Sequence, residues 1–114
     1  MDAAGVPDVD VPEAKRRVDA GALVLDVREA DEWTVGHVAD STWIPMTAIP
    51  ARYGELPTDR PMVVVCRVGS RSGRVAEALR GAGYDAVNLA GGLEAWHAAG
   101  LALTTEDGAP GSVA

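Results

Sequence analysis

The chain contains one cysteine, Cys66, and it opens the segment Cys66-Arg67-Val68-Gly69-Ser70-Arg71-Ser72. The apolar run Met62-Val63-Val64-Val65 leads into it, and a helical pattern begins at about Ser70 to Ser72. This order predicts a thiol at the C-terminal edge of a strand, with a helix N-terminus aimed back at it. A free thiol titrates near 8.5; a helix start and neighbouring cations bring it to between about 3.5 and 7.5. The backbone N–H groups of Arg67 to Ser72 can curl around the sulfur, and Gly69 permits the sharp turn such a cradle needs. Residues 60–76 hold four arginines and no acid. The chemistry this implies is nucleophilic attack by a thiolate on an anionic substrate. Sulfur transfer, phosphate-ester hydrolysis and arsenate reduction all fit. The plainer reading, a buried apolar cysteine at a strand end, does not account for the cradle pattern around it.

The rest of the composition narrows the partners. A chain of 114 residues suits one compact domain. A net charge of −7 argues against nucleic acid and anionic membranes. On such an acidic chain, a basic island around a thiol suggests a small anionic substrate. One cysteine excludes an internal disulfide, and His37 and His97 show no metal-ligand spacing. No apolar run approaches a membrane span, and the first residues lack the pattern of a signal peptide, so the expected location is cytoplasmic. No cofactor or metal is expected.

The elements that must hold Cys66 follow from the apolar pattern. Asp10, Pro12 and Glu13 read as a helix start, with the helix running over 12–20 to Gly21. Ala22-Leu23-Val24-Leu25 and Met62 to Val65 are continuous apolar runs of strand length, as expected for strands buried on both faces. Ala86-Val87-Asn88-Leu89 is a third strand, Val9 to Val11 a short edge strand and Trp43-Ile44 another short one. Helical patterns span residues 29–35, 72–82 and the segment after Gly91-Gly92, with one or two turns over 47–53. Alternating strands and helices predict an α/β domain with a mainly parallel central sheet flanked by helices. Ligands of such sheets bind beyond the carboxyl ends of the strands, where both Asp26-Val27-Arg28 and Cys66 fall. Residues 1–7 read as a flexible N-terminal tail, 8–103 as the domain, and 104–114, rich in Gly, Pro and small residues, as a disordered C-terminal tail.

The loop resembles the Cys-x-x-Gly-x-Arg-Ser active-site loop of rhodanese-type sulfurtransferases. Leu25-Asp26-Val27-Arg28 with Glu32-Trp33, Gly36-His37, Ile44-Pro45, and Gly83-Tyr84 through Gly91-Gly92 and Trp96 match further family motifs in order. The resemblance implies a rhodanese fold and a two-step reaction. Cys66 takes the outer sulfur of an anionic donor such as thiosulfate, forming a persulfide, and passes it to cyanide or a thiol. The amides of Arg67, Val68, Gly69, Ser70, Arg71 and Ser72 would stabilise the persulfide, while Arg67 and Arg71 would orient the donor. Asp26 and Arg28 are expected to brace the loop through hydrogen bonds.

Within this fold the six-residue loop from Cys66 to Arg71 is that of the sulfurtransferases. Phosphatases and arsenate reductases carry a loop one residue longer, and Val65 stands where the general phosphatase pattern has histidine. One departure from the family pattern stands out. The family's Gly-His-x-Pro-Gly-Ala is here Gly36-His37-Val38-Ala39-Asp40-Ser41, which predicts a looser, more polar turn. The rival from another class is a persulfide carrier or protein-docking module without turnover. His37 is assigned a structural role, paired with Glu32, and the tryptophans are core or rim residues.

Overall fold

The computed structural model describes residues 7–113. Five strands form one sheet: β1 (Asp8–Val9), β2 (Leu23–Asp26), β3 (Thr42–Trp43), β4 (Met62–Val65) and β5 (Ala86–Leu89). Their order is β1-β5-β4-β2-β3, and every pairing is parallel. The helices are α1 (Val11–Asp19), α2 (Ala30–Val35), α3 (Ile49–Arg52), α4 (Ser70–Gly81) and α5 (Gly92–Ala98). Short 3-10 turns flank α3. The fold is the expected α/β arrangement, with β4 at the centre.

Strand alternation builds two cores, because successive side chains leave opposite faces of a sheet. Leu23, Leu25, Met62, Val64 and Ala86 meet Val75, Ala76 and Leu79 of α4 on one face. Val24, Val63, Val65, Val87 and Leu89 meet Ala14 of α1 and Leu93 and Trp96 of α5 on the other. Cys66 continues the parity of Met62 and Val64, so its side chain falls on the α4 side. That placement aims the sulfur at the helix that follows it.

Local signals act where they were read. The Asp10 carboxylate caps α1 by accepting from Glu13 N at 3.0 Å, although the helix begins one residue earlier than Pro12. The helix after Cys66 starts at Ser70, with Gly69 before it at φ +103°.

The termini differ from expectation. Residues 1–6 of the proposed N-terminal tail lie outside the described residues, but Pro7 is already tied down: its carbonyl accepts from Asn88 N at 3.0 Å. The segment after 103 is ordered as far as 113. Thr104 and His37 exchange backbone hydrogen bonds of 2.8 and 2.9 Å, Gly111 N donates to Leu103 O at 2.8 Å, and Ser112 N donates to Val35 O at 3.1 Å. Val113 packs against the second core. The small residues that suggested disorder allow a close approach instead. A Cβ on Gly36 would stand 2.4 Å from Ser112 O.

Candidate active site

Cys66 leaves β4 fully buried. Its Sγ accepts from Gly69 N at 3.1 Å and lies 3.3 Å from Ser72 Oγ. Burial pushes the thiol up. The Ser72 hydroxyl and the amides of Ser72, Gly69 and Val68 pull it down and outweigh burial, so the thiol sits below its ordinary value. Of the expected cradle of amides from Arg67 to Ser72, those of Val68, Gly69 and Ser72 act on the sulfur, the first two from the loop and the last from the first turn of α4. Gly69 is held on two counts, by φ +103° and by space, since a Cβ there would meet Leu89 O at 3.2 Å and Gly91 N at 3.3 Å. Val68 and Ser70 are exposed on the outer rim.

The start of α5 clamps the other end of the loop. Leu93 N donates to Cys66 O at 2.8 Å and Glu94 N to Arg67 O at 3.0 Å. Contact is so close that a Cβ on Gly92 would stand 2.4 Å from Arg67 O. The Arg67 side chain turns outward to Glu94, Nε to Oε2 at 2.9 Å, in an exposed pair. Arg71 makes a two-armed pair with Glu32 of α2, both arms 2.8 Å. The Arg71 guanidinium holds Glu32 far below the usual carboxylate range, at about 2. Glu32 in turn raises Arg71 further above its ordinary value. Both arginines expected to orient a donor therefore carry carboxylate partners.

Asp26 and Arg28 form a fully buried ion pair, Nη2 to Oδ2 at 2.8 Å. They make no hydrogen bond to the 66–72 loop. Arg28 instead donates to Glu32 O within α2 at 3.2 Å and to Gly36 O just past its C-terminal end at 2.7 Å, and its own carbonyl accepts from Trp43 Nε1 at 2.8 Å. The pair braces α2, which presents Glu32 to Arg71, so the bracing of the loop is indirect. His37 is not paired with Glu32. It is buried, stacks on Trp33 with ring centroids 3.6 Å apart, and its Nδ1 lies 2.9 Å from Trp33 O. Glu32 instead turns both oxygens to Arg71, and its Oε1 also accepts from Glu29 N at 3.0 Å. Ala39-Asp40-Ser41 forms a defined turn with Asp40 at φ +63° and Ser41 N and Oγ both donating to Val38 O, at 3.1 and 2.6 Å.

One buried residue, Asn88 of β5, was missed as a site residue. Its Oδ1 accepts from Ser72 Oγ at 2.6 Å, and its Nδ2 donates to Gly69 O at 3.1 Å and Asp8 Oδ1 at 2.9 Å. The available signal was a lone amide within the apolar run Ala86-Val87-Asn88-Leu89. A buried polar side chain must find partners. Glu94 gave no comparable signal.

The fold and site define a parallel α/β domain with one strand-end thiol held by backbone amides and a hydroxyl. Residues 10–99 match the family model described as Rhodanese-like domain, and the chain belongs to that family. It is 39% identical over 87 residues to a sulfurtransferase of Allochromatium vinosum, covering 75% of this chain and 81% of that protein. It is 33% identical to the thiosulfate sulfurtransferase GlpE of Pseudomonas savastanoi pv. phaseolicola, covering 75% and 82%. Other relatives are longer, and the match spans 60% of one and 23% of another. Among solved structures, a rhodanese-related protein from Thermoplasma volcanium superposes with a TM-score of 0.84 at 29% identity, covering 88% of this chain and 99% of that one. No described helix is long and apolar enough to cross a membrane.

Proposed function

We propose that the protein moves a sulfane sulfur from thiosulfate, or a similar small anionic donor, to cyanide or a thiol through a Cys66 persulfide. The observation that carries this reading is the ligation of Cys66 Sγ by Gly69 N and Ser72 Oγ in a six-residue loop. In the first step the Cys66 thiolate attacks the outer sulfur of thiosulfate. A new S–S bond forms at Cys66 as the donor's S–S bond breaks, and sulfite leaves with the bonding pair. In the second step cyanide or a thiolate attacks the terminal sulfur. The products are thiocyanate or a new persulfide, and the Cys66 thiolate returns.

The loop amides stabilise the anionic sulfur by preorganised donors that need no rearrangement during reaction. Arg67 and Arg71 attract the donor anion from the rim, which it shares with their partners Glu94 and Glu32. Asp26 and Arg28 fix α2. A nucleophilic thiol kept free of disulfides suits a reducing compartment, the cytoplasm. The test is thiosulfate-to-cyanide turnover by the purified protein. Thiocyanate production lost in Cys66→Ser supports the reading, and turnover no better than that variant sinks it. Intact mass after thiosulfate should show one added sulfur atom on the wild type alone. Persulfide formation with a thiol acceptor but no catalytic turnover would instead favour the carrier role.

A further inference from the structure

The Ser72 hydroxyl has one proton and two acceptors, Cys66 Sγ at 3.3 Å and Asn88 Oδ1 at 2.6 Å. It can serve one at a time. The orientation of the Asn88 amide follows from its other end. Gly69 O is only an acceptor, and it faces Nδ2 together with Asp8 Oδ1. Oδ1 must therefore face Ser72, and as a stronger acceptor than a neutral thiol sulfur it takes the proton while Cys66 is protonated. In the resting thiol, Cys66 S–H then donates to Ser72 Oγ, Ser72 to Asn88 Oδ1, and Asn88 Nδ2 to Asp8. When Cys66 ionises, Ser72 must turn its proton to the sulfur. Ser72 Oγ and Asn88 Oδ1 are then left face to face with no hydrogen between them, inside a buried site where an unmet acceptor is costly.

We infer that Asn88 is a positioning residue that governs Cys66 through Ser72, competing with the thiolate for the hydroxyl proton. It makes no hydrogen bond to the sulfur. Its competition favours states in which Sγ carries no full charge. One is the thiol; the other, on the proposed function, is the persulfide, whose inner sulfur is bonded to carbon and sulfur and needs no donated proton. Asn88 thus raises the barrier to idle thiolate and favours the loaded state. The surrounding charges are paired elsewhere: Arg71 with Glu32 of α2, Arg67 with Glu94 of α5, and Arg28 with Asp26 of β2. Arg74 on α4 is exposed. Of these charged groups, with Asp8 of β1, only Asp8 hydrogen-bonds to the relay.

The experiment is a pH titration of the Cys66 thiolate by ultraviolet absorbance, without any sulfur donor, in wild type, Asn88→Ala, Ser72→Ala and the double variant. Asn88→Ala should lower the apparent pKa in the wild-type background, raising the thiolate fraction at low pH by about three- to tenfold, within the range of couplings between touching residues. In the Ser72→Ala background this lowering should vanish. An equal shift in both backgrounds, or an upward shift with Ser72 present, overturns the inference. Should Asn88→Ala not fold, the same cycle is run with Asp8→Ala on the exposed edge strand. A smaller coupling of the same sign is expected, and strict additivity overturns it. Failure of the wild type to transfer sulfur would sink the proposed function while leaving this titration unaffected.

Discussion

Glu32 and Arg71 stand 39 residues apart and meet in a two-armed ion pair, 2.8 Å on each arm, that joins α2 to the first turn of α4. The pair ties the segment carrying the family's Glu-Trp motif to the cysteine loop.

Its contribution to stability depends on pH. Glu32 falls from 4.5 to about 2, chiefly through its hydrogen bonds to Arg71. A carboxylate depressed on folding stabilises the native state above its unfolded value, so the contribution is full above about pH 4.5. It is lost as pH falls towards 2. With the pair partly exposed, about 1–2 kcal/mol is expected after screening. Urea midpoints of wild type and Glu32→Gln should differ at pH 7 and converge by pH 2. A constant difference across that range would disprove the assignment.

The Asp26–Arg28 pair predicts a larger loss. Both side chains are fully buried, and Arg28 also holds the carbonyls of Glu32 within α2 and of Gly36 just past it. Arg28→Met leaves the Asp26 charge without its partner, at a cost of about 3–5 kcal/mol. Chemical denaturation should show this loss. A change below about 1 kcal/mol, the size of an exposed pair, would show the charges to be solvated. Sulfur transfer should fall with α2 order, because Glu32 and then Arg71 lose their support.

The contrast between these residues and the loop explains what the sequence could reveal. Cys66, Gly69, Arg71 and Ser72 lie within one short segment, so their meeting in one loop was legible as a pattern. The strands were legible because burial on both faces demands unbroken apolar runs, as in Met62 to Val65. Partnerships were not. Asn88 reaches Ser72 from 16 residues away and Asp8 from 80, and only the folded sheet brings them together. The segment after 103 was misread because small and Gly-rich residues signal disorder and also permit close backbone packing. Only the presence of Gly36 opposite decides between these outcomes.

That packing is open to test through Gly36 itself. Its backbone is extended, at φ 170°, a conformation any residue adopts, so only space demands glycine there. Gly36→Ala should push residues 111 and 112 away and destabilise the protein by about 1–3 kcal/mol, the usual cost of overpacking. In a chain ending at Leu103 the same substitution meets no Ser112 and should cost far less. Denaturation of the four proteins, with hydrogen exchange at the Ser112 and Thr104 amides of the two full-length ones, checks both points. An equal penalty in both chain lengths would place the clash elsewhere.

Gly69→Ala tests the cradle without removing the sulfur. The substitution strains a left-handed residue and crowds Leu89 O and Gly91 N. The loop must shift, and the amide 3.1 Å from Sγ is the donor most directly displaced. Losing a donor that favours the charged form raises the thiol pKa. On the proposed function persulfide formation depends on the thiolate, so its rate should rise with pH through that pKa, and the variant's curve should lie at higher pH than the wild type's. At neutral pH the variant should be slower by roughly tenfold for each unit of displacement. At alkaline pH the two rates should approach one another, since both thiols are then ionised. Single-turnover rates of persulfide formation across pH measure this. A uniform loss at every pH would mean that Gly69 serves donor placement and not ionisation of Cys66.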